Sequence, residues 1–358
     1  MIKEFSQLTP VEQVLYKQFI RYEQLQNLVT HELSTRYPDA TEINVFIDLY
    51  EMLLPLYNNA KVRYAAEEIS SAVINHAAHY RAFFRTRYRV ETKIVFVYSS
   101  IENNHIYKYI PEYNKKHRGK ILNEDIGMHE EVQLALQRLD LIVPYIPDVF
   151  IKYGTVEPAA IIRNIILSNP AFQADPNIVI TRSQYAYQLP CYCPDTVVFK
   201  KKYEENKGLT AFSFNEVSAI SAYIYEVKNK QTQTLLNPKL ITAIMALSGI
   251  QKRNIKSIFG IEKTLKVLSA MPQSIIGDID AMYNYIHDTC TEMKLVSISY
   301  EDFYNRYMGI SIEYQTELHR NLPEGKDVQY MAQLSDPDSL KMVNNKYYRM
   351  HPLDLERL

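Results

Sequence analysis

Four short apolar runs, separated by longer amphipathic segments, restrict the fold of this chain more than any other feature of its sequence. Each run has the length and the content of β-branched and aromatic residues that is typical of a buried strand. The runs are INVFIDLY (43–50), KIVFVYSS (93–100), NIVITRS (177–183) and DTVVFKKKY (195–203). Segments between them, such as residues 65–88, carry apolar residues at three- and four-residue spacing, as amphipathic helices do. The alternation predicts an α/β fold with a mostly parallel central sheet flanked by helices.

Helical segments also flank this pattern at both ends. Thr9, Pro10 and Glu12 fit the N-cap, first-turn and capping-box positions of a helix that we expect to run from Pro10 to Leu33. Residues 235–268 are predicted to be helical with a short glycine-bearing turn, and nothing after them continues the sheet. We predict extra helical termini and four parts, which are an N-terminal helical extension (1–42), an α/β domain (43–230), a helical subdomain (231–272) and a C-terminal extension (273–358).

Composition indicates a globular protein inside a cell. The chain has 358 residues, 47% of them hydrophobic, which is enough for a large core. No apolar run reaches the length of about 18 residues that a membrane helix needs, and the amino terminus lacks the pattern of a signal peptide. The chain has 29 Tyr and no Trp, with many Asn, Ile and Lys, as suits an A/T-rich genome such as that of a phage. We therefore expect it in the host cytoplasm or associated with a phage, and not in a membrane.

Metal-binding side chains are sparse. Cys191, Cys193 and Cys290 are too few for a disulfide framework or a four-ligand zinc site. His76 and His79 share one face of a predicted helix, but no third ligand lies near them in the sequence. Neither group is predicted to hold a metal.

Charge is distributed unevenly along the chain. The net charge is -1, yet residues 81–120 contain ten Lys and Arg against three Glu, a local net charge of +7. One strongly basic segment in an otherwise acidic chain is expected where a single face binds phosphate. A solvated helix face followed by a loop would give the same count.

Two motifs carry a resemblance to a known family. IYKYIPEYNKKHRGK (106–120) matches an aromatic and basic run that ends in Pro-x-Tyr-Lys-x-x-Arg, and LSGIQKRNIKSIFGIEKTLKVL (247–268) matches a helix-three-turn-helix. In this order, over residues 43–270, they resemble the 5' nucleases, a PIN-like family of flap endonucleases and phage 5'-3' exonucleases. The residues in register are Pro111, Tyr113, Lys115, Arg118, Gly249, Asn254, Ile255, Gly260, Ile261, Lys263 and Thr264.

This resemblance implies a DNA-binding surface, branched or single-stranded DNA being the expected partner. Basic and tyrosine side chains of the first motif could clamp a strand, and backbone amides of the glycine-bearing turns could hold a phosphate. The tyrosines could instead pack a loop, and Glu262 replaces a family glycine. The predicted nucleic-acid-binding residues are Lys108, Tyr113, Lys115, Lys116, Arg118, Lys120, Gly249, Gly260, Lys263 and Thr264.

The chemistry implied by the resemblance is hydrolysis of phosphodiesters by two divalent ions held on clustered Asp and Glu. Only Asp48 and Glu157 remain at the family's acidic positions, where they could hold one Mg²⁺ weakly through waters. Otherwise we expect no cofactor. The family's other acidic positions are occupied here by residues 98–100 (Tyr, Ser, Ser), Ala159, Ala160, Ser183, Tyr185, Ile250 and Arg253.

The missing acids predict a divergent member that has lost catalysis, a pseudonuclease that binds DNA or serves in an assembly. A first alternative is an active nuclease in which Glu102, Asp175 or Asp195 rebuilds the metal site from a shifted position. Asp175 and Asp195 also suit turn and cap positions. A second alternative is a scaffold or virion-associated protein without a nucleic-acid role, which binds protein partners through its two extensions.

Overall fold

The computed structural model describes residues 7–18, 22–57, 63–100, 102, 104–124, 126–204, 208–230, 232 and 234–321. The first six residues and the last 37 of the predicted extensions, 1–6 and 322–358, lie outside the described residues. The side chain of Lys116 also lies outside them.

A six-stranded sheet forms the centre of the described structure, with the strand order β3-β2-β1-β4-β5-β6. The first five strands run parallel to their neighbours, and β6 pairs antiparallel with β5. The predicted α/β class with a mostly parallel sheet is thus confirmed. The strands are β1 (Glu42–Asp48), β2 (Glu91–Ser99), β3 (Val149–Gly154), β4 (Asn177–Thr181), β5 (Thr196–Glu204) and β6 (Gly208–Phe214).

Helices cover both faces of the sheet and form both ends of the described chain. Within the described residues, no helix is long and apolar enough to span a bilayer. The helices are α1 (Pro10–Gln18), α2 (Tyr22–Thr35), α3 (Leu49–Tyr57), α4 (Ala66–Tyr88), α5 (Lys115–Gly119), α6 (Ile126–Ile142), α7 (Pro158–Ser168), α8 (Pro170–Ala174), α9 (Leu189–Tyr192), α10 (Ala219–Lys228), α11 (Ile241–Ser248), α12 (Ile261–Leu268), α13 (Ile279–Glu292), α14 (Tyr300–Ile310) and α15 (Ile312–Asn321).

The N-terminal capping box is present as predicted. The backbone N–H of Thr9 donates to Glu12 Oε2 at 2.7 Å, and the N–H of Glu12 donates to Thr9 Oγ1 at 3.3 Å. The segment predicted as one helix over 10–33 is described as α1 and α2, with residues 19–21 between them outside the described residues.

Two hydrophobic cores lie on opposite faces of the sheet. Neighbouring side chains of β1 point to opposite faces, so Val45 and Ile47 join one core and Phe46 the other. Helices α1 to α4 and α6 pack on the first face. Helix α7 packs on the second face, in one continuous core with α10 to α14. The helical segment 231–272 is therefore fused to the sheet through buried apolar side chains.

Candidate functional site

The carboxylate of Asp48 lies at the carboxyl end of β1, where the chain turns directly into α3. Its Oδ1 accepts a hydrogen bond from the backbone N–H of Glu51 at 3.1 Å, and its Oδ2 accepts one from Thr181 Oγ1 at 2.7 Å. Only 2% of Asp48 is exposed. Both oxygens thus serve the local structure, one capping α3 and the other joining β1 to the end of β4.

Glu157 lies at the N-terminus of α7, one residue before Pro158. Its Oε2 accepts a hydrogen bond from Ser183 Oγ at 3.3 Å, and its backbone N–H donates to Gln315 Oε1 at 2.9 Å. Ser183 stands at a position where the sequence resemblance expects an acid, and its hydroxyl binds Glu157.

The guanidinium of Arg253 occupies the space between these carboxyl groups. Its Nη2 lies 2.5 Å from Glu51 Oε1, and its Nε lies 3.9 Å from Glu157 Oε1. The rings of Tyr50 and Tyr113 flank it, with centroids 5.5 and 5.9 Å from its central carbon. Such ring faces stabilise a desolvated cation. Arg253 is only 4% exposed, so its charge is compensated from inside the protein.

The electrostatics of the cluster follow from one cation among three carboxyl groups. Burial raises the pKa of Asp48 to about 7, with a further contribution from Glu51. Burial also raises the pKa of Glu157 to about 7, although Arg253 opposes the shift. Burial acts upward on the pKa of Glu51 as well, but nearby cations, Arg253 first among them, outweigh it and lower that pKa. The cluster therefore holds one ionised pair, Arg253 and Glu51, beside two carboxyl groups that titrate near neutral pH.

A second buried ion pair lies beside the cluster. Lys200, which is fully buried, places Nζ 2.8 Å from Glu226 Oε2, and Lys252 places Nζ 2.6 Å from Glu226 Oε1. Lys200 Nζ also donates to the backbone oxygens of Arg182 and Ser183. Burial lowers the pKa of Lys200 to about 8. Cationic side chains thus extend from Arg253 along this edge of the sheet.

These residues do not fit the divalent ions that the resemblance implies. A hard cation needs several free carboxylate oxygens, whereas here hydrogen bonds and a guanidinium engage those of Asp48, Glu51 and Glu157. In the described part of the chain, no group of three or more His, Cys, Asp or Glu is arranged to hold a metal.

The three acids considered as substitutes have other surroundings. Glu102 Oε1 lies 2.9 Å from His129 Nε2, and Asp175 Oδ2 lies 3.1 Å from Lys93 Nζ. Asp195 has a positive φ of 47° in the turn before β5. Neither of these two interactions brings a further carboxylate to Asp48 or Glu157.

Two of the positions that replace the family's acids contact the C-terminal helices. Tyr185 is fully buried, and its hydroxyl donates to the backbone oxygen of Gly309 at 3.3 Å. The backbone oxygen of Ala160 accepts a hydrogen bond from Thr316 Oγ1 at 3.1 Å. Because Gln315 also binds Glu157, helices α14 and α15 pack directly against positions at which the resemblance expects metal ligands.

The buried side chain of Gln188 makes a similar connection. Its Nε2 donates to the backbone oxygen of Ile310 at 3.0 Å. Its Oε1 accepts hydrogen bonds from Thr242 Oγ1 at 2.8 Å and from the backbone N–H of Ile312 at 3.2 Å. One amide thus joins the turn after β4 to α11 and to the junction between α14 and α15.

Predicted nucleic-acid-binding residues of the first motif occupy different environments. Lys108 and Lys115 are exposed, and Lys115 lies 3.4 Å from Glu112. The guanidinium carbon of Arg118 lies 4.2 Å from the ring centroid of Tyr107. Lys120 is half-buried. Tyr113 is 2% exposed and packs against Tyr185, so its ring is a wall of the Arg253 site.

The predicted residues of the second motif are also partly exposed and partly buried. Gly260 and Lys263 are exposed at the start of α12, whereas Thr264 is fully buried. Gly249 is buried with a φ of 74°, and a Cβ there would lie 2.5 Å from the backbone oxygen of Ile255. The exposed candidates are therefore Gly260 and Lys263 in this motif, together with Lys108 and Lys115 of the first.

Several residues of the site could not be identified from the sequence motifs. Thr181 and Gln315 reach the acids from distant parts of the chain. Glu51 stands three residues after Asp48, at the spacing of a helix N-cap and its third helical residue, and this spacing is the one signal that could have indicated it.

Known proteins similar to this chain were found among solved structures. No protein-family model matches the chain, and no curated protein sequence matches it. The chain is similar to the 5'-exonuclease of bacteriophage T5 with bound zinc, with 12% identity and a TM-score of 0.48 over 76% of this chain and 89% of that chain. The flap endonuclease of bacteriophage T5 in a complex with DNA and metal ions gives 12% identity and a TM-score of 0.47 over the same shares.

A human protein also shows a likeness. GEN1 in complex with Holliday junction DNA gives 10% identity and a TM-score of 0.37, over 71% of this chain and 61% of that chain. The two bacteriophage T5 structures carry the names 5'-exonuclease and flap endonuclease, which are the activities of the family that the sequence motifs resemble. At these identities the chemistry of this chain follows from its own side chains.

Replacing Arg253 by Met should strongly destabilise the protein, because Glu51 and Glu157 would keep their buried carboxyl groups without the cation. Removing one partner of a buried ion pair typically costs about 3–5 kcal/mol. Denaturant unfolding at pH 7 measures the loss. Lys256→Met removes an exposed charge from the same turn and should change stability by less than about 0.5 kcal/mol. Equal effects of the two substitutions would contradict a structural role of the guanidinium.

Asp48→Asn should change how stability depends on pH. The pKa of Asp48 is about 7 in the folded state and about 3.9 unfolded, so the folded state retains a proton that the unfolded state loses. Wild-type stability should therefore fall as pH rises from about 4 to about 7. Asn mimics the protonated acid and does not titrate. The free energy of unfolding of the variant, relative to that of wild type, should therefore rise by about 2–3 kcal/mol as the pH is raised from 5 to 8.

Unfolding curves at both pH values test this expectation. Asp39→Asn, at an exposed carboxylate, is the matched control and should leave the difference between the two pH values unchanged. A constant offset between Asp48→Asn and wild type would show that Asp48 is ionised throughout that range.

The two glycines of the second motif should respond differently to Ala. Gly249→Ala places a Cβ against the backbone at positive φ and should cost about 2 kcal/mol or more. Gly260 has a φ of −62° and nothing within 4 Å of the added Cβ, so Gly260→Ala should cost less than about 1 kcal/mol. Thermal unfolding of both variants measures the contrast, and equal losses would overturn it.

Proposed function

We propose that this chain is a catalytically inactive protein of the 5' nuclease type, a pseudonuclease of phage origin that binds DNA without cleaving it. The observation that carries the proposal is the guanidinium of Arg253 between the carboxyl groups of Glu51 and Glu157. An internal cation occupies the place where metal-dependent cleavage would need a divalent ion.

Exchange of the internal cation for Mg²⁺ is unfavourable on physical grounds. Arg253 is buried, and its backbone is fixed because the N–H of Asn114 donates to its carbonyl oxygen at 2.9 Å. A divalent ion at this site would either face a guanidinium at close range or displace it from its carboxylate partners. Like charges in a low-dielectric interior repel strongly. This supports loss of the metal-dependent mechanism.

DNA binding in this proposal uses the exposed part of the two motifs. The exposed Lys108 and Lys115 and the half-buried Arg118 supply charges that can contact phosphates. Gly260 and Lys263 lie at the start of α12, where backbone N–H groups and a cation can hold a phosphate together. Neither group needs a bound metal. The local net charge of +7 over residues 81–120 favours the same partner.

Incubation with a 5'-flap DNA at low salt, in Mg²⁺, Mn²⁺ or EDTA, tests binding and cleavage together. We expect binding in all three conditions, with an affinity that falls steeply as salt is added, and no cleavage. The melting temperature should be the same in Mg²⁺ and in EDTA, because a ligand that binds only the folded state would raise it. Cleavage that depends on metal and is abolished in Asp48→Ala would overturn the proposal and favour a relocated metal site.

The triple variant Lys108→Ala, Lys115→Ala, Arg118→Ala tests the surface itself. The slope of log affinity against log salt concentration should become shallower by about 1 for each cation that no longer pairs with a DNA phosphate. Lys152→Ala with Lys294→Ala, two charged positions elsewhere, is the control and should retain the wild-type dependence. A chain that binds no DNA under any of these conditions would favour the scaffold function, in which the extensions bind protein partners.

A further inference from the structure

Helices α13 and α14 present an aromatic surface that the proposed function does not use. We call the rings of Tyr283, Tyr300 and Tyr304 the aromatic face. Tyr283 meets Tyr300 edge-on at a centroid distance of 5.2 Å, and Tyr300 stacks on Tyr304 at 5.8 Å with an angle of 28°. Tyr300 is 42% exposed, and the other two rings are half-buried. The packed rings give a preformed surface that a partner can contact.

Carboxylates border the aromatic face. The hydroxyl of Tyr300 donates to Asp280 Oδ1 at 2.5 Å, and Glu301 follows Tyr300 in the chain. Asp278 caps α13 by accepting the N–H of Ala281 at 3.0 Å. These hydrogen bonds orient Asp278 and Asp280, and all three acids lie near helix N-termini, where negative side chains are favourable. Between 278 and 302 the chain carries one basic residue, Lys294, against the acids Asp278, Asp280, Asp288, Glu292, Glu301 and Asp302.

The chemistry of this surface selects an arginine-bearing partner. A guanidinium stacks on a tyrosine ring and pairs with a carboxylate through two parallel hydrogen bonds. The phosphates of a nucleic acid would be repelled by the same carboxylates. The surface is therefore complementary to a cluster of exposed arginines.

This chain carries such a cluster at the carboxyl end of α4. We call Arg85, Arg87 and Arg89 the arginine end. Arg85 and Arg87 lie in the last turn of the helix, and Arg89 caps it. Arg85 Nε lies 3.3 Å from Glu91 Oε1, and Arg87 Nη1 donates to Gln26 Oε1 at 2.8 Å. Exposed contacts of this kind contribute little to stability, so a partner can replace them.

We propose that the aromatic face of one molecule binds the arginine end of a second copy of this chain. The carboxylates next to the aromatic face, among them Asp278, Asp280 and Glu301, are opposite in charge to the three guanidinium groups. The two surfaces are different parts of the chain, so the contact is head-to-tail. Repetition of such a contact gives a ring where the rotation closes and an open chain of molecules where it does not.

Neutralised variants test the contact in solution. The first variant, Asp278→Asn with Asp280→Asn and Glu301→Gln, lacks the acids next to the aromatic face. The second variant, Arg85→Gln with Arg87→Gln and Arg89→Gln, lacks the arginine end. Sedimentation velocity at low salt should show wild-type mass rising with concentration, and each variant alone should stay monomeric. An equimolar mixture should form dimers and nothing larger, because each variant keeps one complementary surface.

Two further variants separate this contact from general charge attraction. Asp39→Asn with Glu130→Gln and Glu216→Gln removes the same number of carboxylates elsewhere and should associate like wild type. Tyr300→Ala should weaken the dimer in the mixture about tenfold, since the variant lacks the ring that stacks on the guanidinium and the hydroxyl that orients Asp280. Circular dichroism confirms that each variant is folded.

Three outcomes would overturn the proposal. The first is a wild-type protein that is monomeric at every concentration, and the second is a mixture that forms no dimer. The third is association that the control substitutions abolish as readily as the first variant does. A dimer that Tyr300→Ala does not weaken would likewise contradict the stacking of a guanidinium on this ring. DNA binding by all these variants can be measured separately, because none of their substitutions replaces Lys108, Lys115, Arg118, Gly260 or Lys263. The second variant does lower the net charge of residues 81–120 from +7 to +4, so the variant without the acids is the one in which the two functions separate fully.

Discussion

The ion pair between Arg253 and Glu51 is the interaction on which the arrangement of this sheet edge depends. It joins α3, which begins at the end of β1, to the turn before α12, 202 residues further along the chain. Charge is the reason for its importance. Three buried carboxyl groups without a cation would repel each other and would lack the solvation that water gives them. With Arg253 present, one carboxylate is paired, while burial raises the pKa values of the other two carboxyl groups to about 7.

The central strands could be predicted from sequence because β1, β2, β4 and β5 are buried on both faces and form continuous apolar runs. The edge strand β3 could not, since its side chains alternate between buried and more exposed environments and it carries Lys152. The antiparallel strand β6, GLTAFSF, contains a glycine and small polar residues and has no apolar run of that kind.

The site could be predicted in part. Asp48 and Glu157 follow from the family resemblance, and the structure brings both to Arg253. The pairing of Glu51 with Arg253 and that of Lys200 with Glu226 could not be predicted, because a buried ion pair between distant residues leaves no periodic pattern in the chain. Burial of Tyr113 could not be predicted either, since the sequence does not distinguish a tyrosine that stacks on a base from one that packs against a guanidinium.

Gln188 has a consequence for how the chain is made. Its side-chain amide makes hydrogen bonds with Thr242, Ile310 and Ile312, which follow it by 54, 122 and 124 residues. A ribosome delivers these partners long after the strand that precedes Gln188 has been synthesised. The polar groups of this buried amide therefore stay solvated until translation has passed Ile312. The parallel sheet can assemble earlier, but this buried polar contact at its edge forms only after Ile312 has been added.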